Sequence, residues 1–162
     1  FNQERRSAVS VENTMGRALA TWFGSGLLPK APGTWGSLAA LPFAWVIVTV
    51  GGAWVLAAAT VIIYLVGIWS TRVFLRTTDD PDPGPVVIDE VAGMWMTLIM
   101  VPPDLLIYAF GFVAFRIVDI FKPWPACWAD RSVKGAQGVM LDDVLAAIYS
   151  AAATWAFAEY VV

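Results

Sequence analysis

From Ala53 to Thr71 the chain runs for nineteen residues without a charge, and most of them are apolar. As a helix, a run of that length reaches about 28 Å, close to the roughly 30 Å hydrocarbon core of a bilayer. Counted to Leu75, this run is one of five apolar segments. The others are Leu38–Val50, Val86–Val101, Leu105–Phe121 and Val144–Val162. The pattern predicts an all-α, multi-spanning membrane helical bundle. Residues 1–162 read as a single domain, because there is no internal repeat and no interior linker. Val11–Phe23 mixes apolar residues with Glu12 and Arg17, which predicts an N-terminal amphipathic or interfacial helix.

Composition supports a membrane setting. Only 14% of the residues are charged, against about 25% in ordinary soluble domains. Nine Trp and nine Phe suit a lipid interface. The net charge of −3, with no basic tail, argues against nucleic-acid binding. Cys127 is the only cysteine, so neither a disulfide framework nor a cysteine-rich metal site can form within one chain. The chain has no histidine. Catalysis would therefore rest on carboxylates, cations, hydroxyls and a metal. Phe1–Arg6 is polar and does not read as a signal peptide, because no apolar core directly follows its basic residues.

The connections alternate in character. Gly51–Gly52 and Pro102–Pro103 are short turns with almost no charge, whereas Arg76–Pro85 and Lys122–Asp143 are long and charged. If all five runs cross, Arg5, Arg6, Arg17, Lys30, Arg72, Arg76, Arg116, Lys122, Arg131 and Lys134 gather at one membrane face. The positive-inside bias makes that face cytoplasmic, with the C-terminus on the far side. Leu38–Val50, at 13 residues, is short for a span, so it is expected to extend backward from Gly36 or to be re-entrant. Pro42 is a candidate kink, and Ser37 and Asp104 are candidate helix caps.

Charged groups near lipid are expensive unless paired or metal-bound, so they mark a site. Three acidic sets stand at ends of apolar runs. Asp89 and Glu90 open one helix behind a proline-rich loop, where the helix dipole favours negative charge. Gly93 is four residues after Asp89 and would let a neighbouring helix approach. Arg116 and Asp119 share a helix face, followed by Lys122, a cation–anion–cation stripe suited to holding a phosphate. Asp142 and Asp143 follow the Gly135 and Gly138 turn and are expected at the start of the last helix. Asp89, Glu90, Asp119, Asp142 and Asp143 would converge on one face, and converging like charges need a counter-ion. A hard divalent ion with oxygen ligands, most simply Mg²⁺, would supply it. Lys30, Thr34 and Ser37, in the turn before the first run, offer anion contacts, as do Arg116 and Arg131. Asp82 and Asp130 lie in loops and are expected outside the site.

Other templates fit poorly. The Leu28–Ser37 loop lacks the order of a nucleotide-binding loop. Cys127 and Arg131 are too close for a cysteine phosphatase loop, and no typical strand precedes Asp80–Asp82 as an aspartyl phosphatase would need. The remaining alternatives are a carboxylate–metal lipid phosphotransferase and, less favoured, a small ion transporter.

Four segments together resemble the phosphatidylglycerophosphatase A family of bacterial membrane lipid phosphatases. They are PKAPGTWGS from Pro29 to Ser37, VVIDEVAG from Val86 to Gly93, FRIVDIFKPWP from Phe115 to Pro125, and GVMLDD from Gly138 to Asp143. The resemblance implies Mg²⁺-dependent hydrolysis of phosphatidylglycerophosphate to phosphatidylglycerol and phosphate at the cytoplasmic side of the bacterial inner membrane. The family's acidic positions match Asp89, Glu90, Asp119, Asp142 and Asp143, and its lysine before proline matches Lys122. Val118 stands where the family usually has an aromatic residue. The implied partners are the membrane and a phospholipid substrate; oligomeric state is not legible.

Overall fold

The computed structural model describes the backbone of residues 2–161 and the side chains of residues 10–161. The side chains of Arg5 and Arg6, and Val162 at the end of the last run, lie outside the described residues. The elements are α1 (Asn2–Ala20), a short 3-10 turn (Ser25–Leu27), α2 (Pro32–Leu75), α3 (Ile88–Leu98), α4 (Leu105–Phe121), α5 (Ala126–Ser132) and α6 (Ala136–Val161). No strand occurs among the described residues.

α2 consists of two arms joined at Gly52, the one residue inside it with non-helical backbone, at φ 78° and ψ 179°. A positive φ of that size suits glycine, which has no Cβ to clash. The arms run in opposite directions past α3. Gly36 of the first arm packs on Val87 beside the start of α3, and Gly67 of the second packs near Ile88. The tip between them, at Val48, Ala53 and Trp54, lines a cavity with Ile99–Pro102 at the other end of α3. The first arm starts at Pro32, well before Leu38, so residues 32–51 extend for about 30 Å and the short run is long enough to span.

Proline at the first helical position explains that early start, since its fixed φ suits a helix and its missing N–H would be unpaired there anyway. Two expectations change as a result. Ser37 is not a cap: it sits buried in the second turn and donates to the Gly33 carbonyl at 2.8 Å. Pro42 lies within helical backbone, and the break falls at Gly52 instead. Asp104 does cap α4, accepting from the N–H groups of Leu106 at 2.9 Å and Ile107 at 3.0 Å.

α3 is the central helix. It packs against α2, α4 and α6, and Ile88, Val91, Met94 and Leu98 are fully buried. At 11 residues it is shorter than the run Val86–Val101. A helix enclosed by others need not match the bilayer thickness, because its flanking backbone is shielded from lipid. A Cβ on Gly93 would stand 2.6 Å from the Phe115 ring and 3.1 Å from the Asp143 carbonyl, so this glycine sets the approach of α4 and α6. Polar links reinforce the packing. Trp95 donates to the Ala40 carbonyl at 3.0 Å, and the hydroxyls of Thr97 and Ser150 lie 2.7 Å apart.

α2 and α6 are each long and apolar enough to cross a membrane. The bundle exterior carries Val46, Trp54, Val61, Ile62, Leu65, Val113, Ile117 and Trp155, all largely exposed. An apolar surface of that extent belongs in lipid. α1 packs on the end of the second arm far from Gly52, where Arg17 stacks over Phe74 and Glu12 pairs with Arg76 at 3.3 Å. The loop from Lys122 to Asp143 holds α5 and the first turns of α6, neither of which the apolar pattern marks.

Candidate active site

The long connections and the acids meet at the end of the bundle opposite Gly52. α3 starts there behind Pro85 and points Asp89 and Glu90 into the space between α4 and α6. Ligand oxygens of Asp89, Glu90 and Asp143 all lie within 4.8 Å of one another. Asp89 and Asp143 are buried and Glu90 nearly so. Each keeps one buried oxygen without a hydrogen-bond partner: Asp89 Oδ1, Glu90 Oε2 and Asp143 Oδ2. Three carboxylates at this range repel one another in a low-dielectric setting. They form the hard oxygen donor set that a divalent cation takes.

The other two acids are already paired. Arg116 donates to Asp119 Oδ2 at 2.6 Å, and the same nitrogen lies 3.9 Å from Glu90 Oε1 and 3.5 Å from the Ser37 hydroxyl. Lys122 ends α4 in left-handed backbone at φ 43°, which turns its ammonium onto Asp142 and, at 3.3 Å, onto Asp130. Partial burial works against the Lys122 charge, but the bond to Asp142 and the surrounding carboxylates outweigh it and raise its pKa. Arg116 and Lys122 are thus engaged by Asp119, Asp142 and Asp130, and no cation is within hydrogen-bond range of Asp89, Glu90 or Asp143 among the described residues. The remaining charge is concentrated on the Asp89, Glu90 and Asp143 trio.

Asp142 and Asp143 are not at a helix start. α6 begins at Ala136, so they lie in its second turn and beyond, where the dipole gives little support. Burial in the helix body and the reach of Lys122 define their setting instead. The Gly135 turn before α6 has φ 72°, in line with expectation, whereas Gly138, expected in the same turn, lies within α6.

The remaining sequence candidates lie around this centre. Ser37 reaches it through Arg116. Thr34 is half-buried on the first turn of α2, next to Gly33, whose Cα faces Glu90 and Arg116. Lys30 and Arg131 are exposed, and among the described residues neither forms an ion pair with the cluster.

Three neighbours of this centre were not expected there. Gly33 lies so close to Glu90 Oε1 that a Cβ there would overlap it, and Arg116 nitrogens would lie at 3.0 and 3.1 Å. Asp82 and Asp130, expected outside, line a cavity of about 150 Å³ together with Lys134 and Asp142. The cavity opens beside the Lys122–Asp142 pair. Only the PGT of the Pro32–Thr34 turn signalled Gly33, and nothing in the loop composition signalled the two aspartates.

Comparison with known proteins gives the family. Residues 18–158 match the family described as Phosphatidylglycerophosphatase A. A relative named Phosphatidylglycerophosphatase A from Escherichia coli (strain K12) is 44% identical over 135 residues, covering 82% of this chain and 77% of that protein. One of the same name from Haemophilus influenzae is 37% identical over 138 residues, covering 82% of each. A Bacteroides thetaiotaomicron protein, whose name proposes phosphatidylinositol-3-phosphatase activity, is 39% identical over 145 residues and covers 82% of this chain and 86% of its own length. No solved structure matches the chain. With a buried carboxylate centre at one end of a lipid-facing helical bundle, this chain belongs to the phosphatidylglycerophosphatase A family and is a membrane lipid phosphatase.

Proposed function

We propose that the enzyme hydrolyses phosphatidylglycerophosphate to phosphatidylglycerol and inorganic phosphate, using Mg²⁺ held by Asp89, Glu90 and Asp143. In this reading residues 1–162 act as one phosphatase domain in the bacterial inner membrane, with the site at the cytoplasmic face. The observation that carries it is the Asp89, Glu90 and Asp143 trio, whose ligand oxygens lie within 4.8 Å of one another and each of which keeps one orphaned oxygen, at the end of the bundle that gathers the described cations. Bound there, the cation would supply Lewis acidity to the phosphoryl oxygens.

The chain's own groups account for the rest. Arg116 and Lys122 contact the phosphoryl group, and Asp119 and Asp142 fix the direction of those two cations. The raised pKa of Lys122 keeps it an ammonium, which suits charge stabilisation rather than proton donation. Glu90, with one free oxygen, orients the attacking water. The water oxygen bonds to phosphorus as the phosphorus–oxygen ester bond breaks; one proton of that water stays on the new phosphate hydroxyl, and the other passes by way of Glu90 to the departing glycerol oxygen. Thr34 and Ser37 border the phosphate, and Lys30 and Arg131 attract the anionic headgroup from the rim.

A phosphatase needs no acceptor alcohol, so the test is phosphate release by purified protein from phosphatidylglycerophosphate in detergent with Mg²⁺. Strict dependence on a second alcohol would replace hydrolysis with transfer. The inositol-lipid name of the Bacteroides relative favours one second reading, a different headgroup with the same chemistry. Faster phosphate release from phosphatidylinositol 3-phosphate than from phosphatidylglycerophosphate would select it.

A further inference from the structure

A groove of about 450 Å³ runs between the first arm of α2 and α4. Leu38, Leu41 and Trp45 form one wall, and Tyr108, Phe112 and Val113 the other. We propose that this groove seats an acyl chain of the same lipid molecule whose headgroup enters the carboxylate site. The inference rests on the lipid phosphatase reading and adds where the substrate's tail lies.

The two elements that form the groove also reach the site, through Ser37 and Gly33 on α2 and Arg116 on α4. Ser37 immediately precedes Leu38, and Arg116 lies three residues beyond Val113, one helical turn away. The 3.5 Å bond from Arg116 to the Ser37 hydroxyl joins α2 and α4 at that level. The groove thus begins directly beneath the group expected to hold phosphate. From Arg116 to Leu105, the far end of the α4 wall, is eleven residues, or about 16 Å along the axis. One leaflet's share of the hydrocarbon core is about 15 Å, so the groove descends to the depth an acyl tail occupies.

The groove is accessible from lipid. Leu38 is 43% exposed and Val113 53% exposed, so its sides are open to the bilayer. Its floor is firm, because the Trp45 and Tyr108 rings meet edge to face with centroids 5.1 Å apart. The polar head and apolar channel match a phospholipid in both chemistry and order along the bundle axis. A chain lying here would hold the headgroup against the carboxylates and reduce the freedom lost when the phosphate reaches the transition state.

The test fills the groove. Ala109, exposed on its α4 wall, is replaced by Trp in the full chain. kcat/KM is measured in mixed micelles for phosphatidylglycerophosphate with palmitoyl chains and with hexanoyl chains. The long-to-short ratio should fall at least tenfold; a ratio equal to that of the unaltered protein would overturn the proposal. In parallel, the unaltered chain is photolabelled with a palmitoyl phosphatidylglycerophosphate carrying a diazirine in mid-tail. Labels should concentrate on residues 38–45 and 108–113. Labels spread in proportion to exposed surface, meaning bulk lipid only, or crosslinks between two chains across this face, would each overturn it. Photolabelling does not depend on turnover. A protein that hydrolyses neither lipid but still labels in the groove would refute the phosphatase chemistry and leave the lipid seat standing.

Discussion

Arg116 and Asp119 lie one turn apart on α4 and are joined by a 2.6 Å bond at a largely buried position. The same guanidinium nitrogen stops 3.9 Å from Glu90, near enough for attraction but outside hydrogen-bond range. Arg116 is thus tied to one acid while facing another. Replacing it with Gln leaves both carboxylates without their nearest cation. Breaking a buried pair costs about 3–5 kcal/mol, and partial exposure puts this one toward the lower end. Arg116→Gln should lower the detergent-solubilised Tm and cut kcat at least tenfold. Arg116→Lys should recover more of the Tm than of kcat, because an ammonium lacks the planar fork.

The unpaired trio behaves differently under substitution. Asp89→Asn, Glu90→Gln and Asp143→Asn each remove one repelling charge while nearly preserving shape. Without metal, these variants should be at least as stable as the parent protein. Turnover should be nearly abolished. Ligand binding stabilises the native state by RT ln(1 + [L]/Kd), about 2.7 kcal/mol at a hundredfold excess over Kd. A thermal shift with added Mg²⁺ should therefore appear in the parent and vanish in all three. An unchanged shift in any of them would remove that residue from the metal set.

Lys122 and Asp142 offer a cycle that separates stability from chemistry. Lys122→Met should destabilise the fold by about 3 kcal/mol, because Asp142 stays buried and uncompensated. Adding Asp142→Asn should restore most of that loss, since a neutral amide tolerates the site. Activity should not return if Lys122 holds phosphate. Recovery of both stability and turnover in the double variant would assign the pair a structural role.

Much of this architecture was legible because it depends on local sequence. The Gly51–Gly52 and Pro102–Pro103 turns, the Asp104 cap and the Arg116–Asp119 pairing follow from chain punctuation and helical spacing. The division of five acids into an orphaned trio and two cation-held members was not legible. It arises where α4 meets α6, with Lys122 reaching Asp142 twenty residues later, and no periodicity encodes that contact. The early starts of α2 and α6 were also hidden. Both helices begin in polar, glycine-containing stretches that read as loop by composition, and packing against α3 and α5 holds them helical.

Topology is open to direct labelling. The structure puts Gly52 and Pro102 at one end of the bundle and the acids at the other. With Cys127 replaced, single cysteines at Asp80 and Lys134 should react with a membrane-impermeant maleimide only from the cytoplasm. Cysteines at Gly52 and Pro103 should react only from outside. Reaction of Gly52 from the cytoplasm would mean that the first arm re-enters instead of crossing.

Gly33 gives the most sensitive probe of site geometry, because two effects pull in opposite directions. Alanine in place of a helical glycine ordinarily stabilises by about 1 kcal/mol. At Gly33, however, the added Cβ would overlap Glu90 Oε1 and crowd both terminal nitrogens of Arg116. Glu90 and Arg116 would have to shift, and small misplacements at a reacting centre can cost about a hundredfold in rate. Gly33→Ala should therefore lower kcat at least tenfold, with little or no gain in Tm. Gly84 is the control, since a Cβ there meets only Pro32 Cγ at an ordinary 3.7 Å and the backbone is unstrained. Gly84→Ala should leave turnover within about twofold. A Gly33→Ala protein that is both more stable and fully active would show that α2 need not approach Glu90 this closely, and would weaken the assignment of Glu90 and Arg116 to the reacting centre.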